Sequence, residues 1–328
     1  MSARLRIDGL QYGNWSRAIF EEMRIARLDA VHVTATYWEN ARELMSNIGA
    51  WHRRFDEHAD LILPVRTASD IDRARASDRT GIILGLQNCS PIEDSIDLVS
   101  VFKQLDVHIM QLSYNNQSLV CCGYLEDEDA GLSRFGREVI REMNRVGMVV
   151  DTSHTAERST LDAIAYSSRP TVVSHANPQS ARATPRNKSE RVMRALAESG
   201  GLMGFSCYPF HLPQGSDTTL EQFSEMVARA VDVMGVEHLA IGTDLCQDQP
   251  TEVLSWMRNG NWARVMDYGE GSAEQRDWPA SLAWLRGAAD FPNLERGLEE
   301  RGFEPSEVDA LMGGNWRRFL DDALQPQA

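Results

Sequence analysis

Eight short apolar runs, each ending in small or polar residues and each separated from the next by a helical stretch, most narrow what this chain can become. They are RIDGL (6–10), AVHVTAT (30–36), GIILGLQN (81–88), VHIMQLSY (107–114), VGMVVDTSH (146–154), TVVSHA (171–176), GLMGFSCY (201–208) and HLAIGTDL (238–245). Runs that are apolar on both faces suit parallel strands covered by helices. The intervening segments carry the 3.6-residue period. In GLSRFGREVIREMNRVG, Phe135, Val139, Ile140 and Met143 share one face, while Arg137, Glu138, Arg141 and Glu142 lie largely on the other. Eight such units predict an α/β fold of the (β/α)8 TIM barrel class. One barrel domain spanning 1–328 accounts for the chain, because such barrels take roughly 250 residues.

Three further segments complete the organisation. The run DLILPVR (60–66) reads as a ninth strand outside the barrel or as a helix end, since Pro64 argues against a central strand. A long excursion, 246–290, is rich in Trp, Asp and Gly, and a helical tail follows at 291–325. Loops of this size on a barrel serve as functional lids or subunit contacts.

Composition excludes several classes of function. A formal charge of −15 and a pI near 5.0 leave no basic surface to gather phosphate backbones or anionic lipid, so no nucleic-acid or membrane partner is expected. The N-terminal MSARLRIDGL lacks the apolar stretch of a secretory signal, and no run of about 18 apolar residues occurs, so a cytoplasmic location is expected. Five cysteines, two of them adjacent at Cys121 and Cys122, read as reduced thiols rather than a disulfide framework.

In a barrel of this class the reacting groups stand at the C-terminal ends of the strands. The fifth run ends in Asp151-Thr152-Ser153-His154 and the sixth contains Ser174-His175, so two imidazoles occupy matched positions on neighbouring strands. Imidazole is the commonest zinc ligand, but a catalytic zinc needs about three protein ligands, so His154 and His175 are an incomplete zinc site. The eighth run ends in Gly242-Thr243-Asp244, which brings a carboxylate able to take a proton or hold a substrate amino group. Gln87, Tyr114 and Asn115 at other strand ends could orient a substrate. Arg186, in the loop Pro185-Arg186-Asn187-Lys188, reads either as a bidentate clamp for a substrate carboxylate or as a solvated surface residue. Cys89 and Cys246 lie two residues beyond Gln87 and Asp244 and could supply a thiolate.

The segments GLSRFGREVIREMNRVGMVVDTSH, PTVVSHANPQSARATPRNKS, HLAIGTDL and FPNLERGLEERGFEPSEVDALMGGNWRRFL resemble, in that order, parts of the membrane (renal) dipeptidase family, peptidase family M19. The resemblance implies an amidohydrolase-like barrel, zinc-dependent cleavage of dipeptides and a homodimer. It implies that His154 and His175 match two histidines that ligate one of two zinc ions. It also implies that Arg186 and Asn187 match a substrate-binding pair, and that Asp244 matches an aspartate beside the bridging water.

The departures from that pattern are equally specific. Where the family carries a His-x-Asp ligand motif on the first strand, this chain reads Asp8-Gly9-Leu10-Gln11-Tyr12; Gln87 replaces a bridging glutamate, and Tyr114 replaces a substrate-binding histidine. A pair of ions roughly 3.5 to 4 Å apart needs carboxylates to offset its charge, so at most one zinc is expected. The leading expectation is a hydrolase of a dipeptide, N-acyl amino acid or related small amide. The alternatives are a metal-independent barrel enzyme using His/Asp acid-base chemistry and a non-catalytic ligand-binding descendant.

Overall fold

The computed structural model describes residues 4–260, 263–266, 272, 274 and 276–327. In chain order the strands are β1 (Ile7–Gly13), β2 (Ala30–Thr34), β3 (Ile62–Pro64), β4 (Thr80–Leu86), β5 (Val107–Gln111), β6 (Val149–Asp151), β7 (Val172–Ala176), β8 (Leu202–Phe205), β9 (Leu239–Ile241) and β10 (Leu245–Gln247). All pair in parallel in the order β10-β1-β2-β4-β5-β6-β7-β8-β9, and β3 pairs with β4 off this path. The expected (β/α)8 barrel is therefore present, and the run containing Pro64 is a short strand outside it, with Pro64 its last residue.

The eighth run divides in two, and that division closes the ring. Its first half, β9, pairs with β8, and its second half, β10, pairs with β1. At the crossing, Gly242 N donates to Phe205 O at 3.1 Å and Asp244 N to Leu10 O at 3.0 Å. The buried Asp8 carboxylate reinforces the seam. Its Oδ1 accepts from Thr243 N at 2.7 Å, and its Oδ2 accepts from Thr243 Oγ1 at 2.6 Å and Gln11 Nε2 at 2.8 Å.

The helices follow the periodicity. Helix Arg134–Val146 begins at Ser133, whose side chain accepts from Gly136 N, and ends at Gly147 with φ 75°, a left-handed terminus that glycine adopts without strain. It buries Val139, Ile140 and Met143 against the sheet. The tail, whose last helix is Asn315–Ala323, seals the N-terminal end of the barrel. There Trp316, 1% exposed, packs among Ile7, Ala30, Val149, Val172 and Leu202 and donates from Nε1 to Ile241 O at 2.8 Å. With the floor plugged, the open mouth is at the strands' C-terminal ends.

Two consequences are measurable. A Cβ at Gly242 would lie 1.8 Å from Ser174 O, so Gly242→Ala must push β7 away from the seam; a loss of roughly 3 kcal/mol is expected in denaturant unfolding. Burial pushes the Asp8 carboxyl up to about 6 against the hydrogen bonds that hold it down. Between pH ~4 and that value the folded state keeps a proton that the unfolded chain has released. Stability from this group therefore falls as pH rises through the window, by roughly 3 kcal/mol at about 1.4 kcal/mol per pH unit, and is flat above it. Unfolding free energies of wild type and Asp8→Asn across pH 4 to 7 should differ by that slope.

Candidate active site

His154 follows β6 and His175 lies within β7, and the two imidazoles meet with their Nε2 atoms 3.0 Å apart. The sequence between the strands fixes how they meet. Asp151, fully buried at the end of β6, accepts from Ser153 N (2.9 Å), Ser153 Oγ (2.6 Å), Ser174 N (3.2 Å) and Ser174 Oγ (2.5 Å). Because the Ser174 hydroxyl proton goes to Asp151, its oxygen accepts from His175 Nδ1–H at 2.7 Å. On the other side, His154 Nδ1–H donates to Asn115 Oδ1 at 2.6 Å. Both rings thus carry their proton on Nδ1, and two Nε2 lone pairs face each other.

Electrostatics hold that state. Burial, and then the nearby Arg186 cation, keeps both imidazoles well below their ordinary range, with His211 and Lys188 adding to the effect. A shared proton between the rings is disfavoured. Asp244 stands across from the pair, its Oδ1 4.0 Å from His175 Nε2. Its backbone sits at φ 58° and that of Asn115 at φ 61°, the left-handed region that Asp and Asn tolerate better than other side chains. Two residues facing the histidines are thus set by backbone conformations of higher energy, a feature that clusters at functional sites.

A cavity of about 60 Å³ opens above the histidines, bordered by Tyr12, Gln87, Tyr114, Asn115, His154 and Asp244. It has room for a few waters. A larger cavity of about 210 Å³ adjoins it, sharing Tyr208 and Asp244 and reaching Cys246, Asp248 and Trp278. Aromatic rings roof this region: Tyr114 stacks on His154 with centroids 4.5 Å apart, and Tyr37 meets Tyr12, Tyr114 and Trp256 edge-on.

His154, His175, Asp244, Gln87, Tyr114 and Asn115 are brought together at one rim. Arg186 and Asn187 are placed differently. Arg186 is fully buried, with Nη1 donating to Ser153 O at 2.5 Å and Nη2 to His175 O at 2.7 Å, so both ends of its fork meet backbone carbonyls below the rim and not an open substrate position. Asn187 Nδ2 donates to Arg182 O and His211 O, which ties the loop down. Cys89, a candidate thiolate, instead donates its thiol to Leu112 O at 3.0 Å, and Cys246 lines the larger cavity with its thiol pushed up by burial and by the Asp244 charge.

Two wall residues had no signal in the strand pattern, His211 after β8 and Arg258 on helix Thr251–Asn259, and Tyr208, the last residue of the seventh run, was not singled out. Only the Trp-rich composition of the excursion pointed toward that helix.

Residues 3–256 match the membrane dipeptidase family, peptidase family M19. The chain belongs to this family. Among its relatives, dipeptidase verJ of Clonostachys rogersoniana is 30% identical over 70% of this chain and 59% of its own length, and dipeptidase tcpJ of Claviceps purpurea is 24% identical over 89% and 61%. The chain thus spans about three fifths of the length of these curated relatives. An amidohydrolase from Pseudomonas aeruginosa superposes with a TM-score of 0.92 at 36% identity, covering 98% of this chain and 97% of that one. A Rhodobacter sphaeroides metallo peptidase, liganded with a phosphinate mimic of the dipeptide L-Ala-D-Ala, has a TM-score of 0.81 at 15% identity, covering 98% and 100%, and shares the fold.

Within this M19 chain, the residues that could face a cation are His154, His175 and Asp244. Two imidazole lone pairs and the Asp244 carboxylate converge, whereas Leu10, Tyr12 and Gln87 offer an aliphatic chain, a phenol and an amide. Among the described residues no cluster of three or more His, Cys, Asp and Glu stands ready to hold a metal ion.

The Asp151 hub generates its own test. Asp151→Asn turns an amide donor toward serine donors and leaves His175 Nδ1–H with a disordered acceptor. A loss of about 2 kcal/mol or more is expected in urea unfolding, together with a mixture of His175 tautomers in nitrogen-15 NMR.

Proposed function

We propose that this chain is a dipeptidase-like hydrolase of a dipeptide, N-acyl amino acid or related small amide, working with at most one zinc ion. The observation that carries this reading is the pair of facing Nε2 lone pairs, 3.0 Å apart and locked by their Nδ1 partners. Two bare lone pairs repel unless a Lewis acid joins them, and metal-ligating histidines characteristically donate their second N–H to a protein acceptor. His154 and His175 would hold the ion. When bound, zinc supplies Lewis acidity toward the scissile carbonyl.

The chain's own residues do the rest. Asp244, across the cavity, takes a proton at a carboxylate oxygen from a water whose oxygen bonds to the scissile carbonyl carbon, and returns that proton to the amine as the C–N bond breaks. Asn115 keeps the His154 ring oriented, and Arg186, through the carbonyls of Ser153 and His175, holds the two strand ends in register. Tyr114 and Gln87 border the substrate position and orient it through a phenol and an amide. The adjoining cavity of about 210 Å³ accommodates the remainder of a small substrate. A homodimer and a cytoplasmic location accompany this reading by analogy with the family resemblance and from the five free thiols. Among the described residues no helix is long and apolar enough to cross a membrane.

A second reading, acid-base chemistry through His154, His175 and Asp244 without metal, draws on the missing third ligand. Metal analysis of protein purified without chelators separates the two. About one equivalent of zinc, with dipeptide hydrolysis abolished by chelation and restored by zinc, is the expected result. Hydrolysis that persists without zinc would favour the second reading. His154→Ala and Asp244→Asn should each lower kcat by at least about 100-fold; unchanged turnover would overturn the assignment of the site.

A further inference from the structure

Bulky apolar side chains ordinarily fill the interior of an eight-stranded barrel. Here they fill its floor, where Ile7, Ile83, Ile109 and Val149 cluster with Trp316. Two residues further along the strands, where alternation turns the next side chain inward, four positions are glycine: Gly9, Gly85, Gly204 and Gly242. The other four are His32, Gln111, Asp151 and Ser174, each at most 1% exposed. We infer that this level encloses at least one ordered water, held by His32 and Gln111 against Asp151, and that these two side chains are positioning residues for the histidine pair above.

The inventory of donors and acceptors carries the inference. His32 Nδ1 lies 2.7 Å from Gly9 O, and a carbonyl only accepts, so the ring proton is on Nδ1 and Nε2 is a bare acceptor. That Nε2 has no hydrogen-bond partner among the described residues, and neither have Oε1 and Nε2 of Gln111. Buried polar atoms without a partner are destabilising, and an internal water with two to four polar neighbours relieves them.

The groups that would hold the water are neighbours. Gln111 and Asp151 face each other across the β5–β6 pairing. The strand order β2-β4-β5 puts Gly85 between His32 and Gln111, and His32 Nε2 would lie 2.0 Å from a Cβ at Gly85, so the ring leans across β4 toward Gln111. Burial holds the His32 imidazole below its ordinary range and the Asp151 charge opposes it, which places the carboxylate within electrostatic reach of the ring. Asp151 takes three donors on Oδ1 but one, Ser174 Oγ, on Oδ2. A water that donates to His32 Nε2 and to Oδ2, while accepting from Gln111 Nε2–H, gives Oδ2 a second donor. It thereby fixes the oxygen on which the Ser174 hydroxyl, and through it His175 Nδ1–H, depends.

The test uses the full chain, wild type against Gln111→Leu and His32→Leu, which remove the polar atoms, and His32→Gln, which keeps an acceptor. A high-resolution crystal structure of wild type should show a water within hydrogen-bond distance of His32 Nε2 and Gln111, and nitrogen-15 NMR a single His175 tautomer. Each leucine variant should lower the melting temperature and add the second His175 tautomer. It should also reduce kcat for L,L or L,D Ala-Ala roughly 10-fold, with KM moving less than about 3-fold. His32→Gln should recover part of each effect. An amide with no water partner predicts the opposite, a raised melting temperature in Gln111→Leu. That result, a direct His32–Gln111 contact with no water in the crystal, or an unchanged His175 tautomer in both leucine variants overturns the inference. Should the leucine variants fail to fold, the wild-type crystal structure decides alone. The kcat measurement rests on the hydrolase reading; if neither dipeptide is cleaved, that reading fails, and the water and the tautomer still judge this one.

Discussion

One buried carboxylate, Asp151, sets the geometry on which the mouth of this barrel depends. It accepts four donors from two strand ends, and in doing so it decides where the Ser174 proton goes, hence which nitrogen of His175 is bare. A charged acceptor in a low-dielectric interior is tolerable only when its lone pairs are filled, and the serines of Asp151-Thr152-Ser153-His154 and Ser174-His175 fill them. The sequence DTSH is thus a compact instruction. It places the hub, two of its four donors and one of the two imidazoles within four residues.

Much of the architecture was legible because strand and helix periods are local properties. All eight apolar runs became barrel strands, and His154, His175 and Asp244 converged because each sat at the same end of its run. The seam was harder to read. HLAIGTDL looks like one strand, yet its pairing passes from β8 to β1 within a few residues, and only the three-dimensional closure of the ring dictates that switch. Arg186 was legible as a residue of interest but not as a buried brace. Its partners, the carbonyls of Ser153 and His175, belong to other strands and have no side-chain signature. Arg258 and the tyrosine roof were illegible for the same reason: a helix of the excursion reaches the mouth through packing, and packing partners far apart in sequence leave no periodic trace.

Electrostatics bear on how much positive charge the mouth of this barrel can take up. A dinuclear centre gathers about four positive charges and requires carboxylates around it. Here the carboxylates near the histidines are otherwise committed. Asp8 is engaged with Thr243 and Gln11 at the seam, Asp151 with the two serines, and among the described residues Asp244 is the carboxylate that borders the cavity. Arg186 and Lys188 are buried close enough to depress both imidazoles, and Lys188 is itself fixed on Thr152 O and Thr155 O. The Arg186 guanidinium beneath the rim already supplies part of the positive charge that a second metal would bring, while burial and Arg186 push the Lys188 ammonium well below its ordinary range.

The replacement at strand one fits this balance from the other side. Gln11, between the two replaced positions Leu10 and Tyr12, has a task of its own; its amide nitrogen donates to Asp8 Oδ2 at 2.8 Å and joins the hydrogen bonds that close the barrel. Tyr12 points its ring into the aromatic roof, 6.2 Å from Tyr37 and 6.0 Å from Trp278 by ring centroids. The cavities beside Asp244 are therefore walled in part by apolar surface and phenols. Such a wall lowers the local dielectric around Asp244 and strengthens its pull on any cation brought into the cavity.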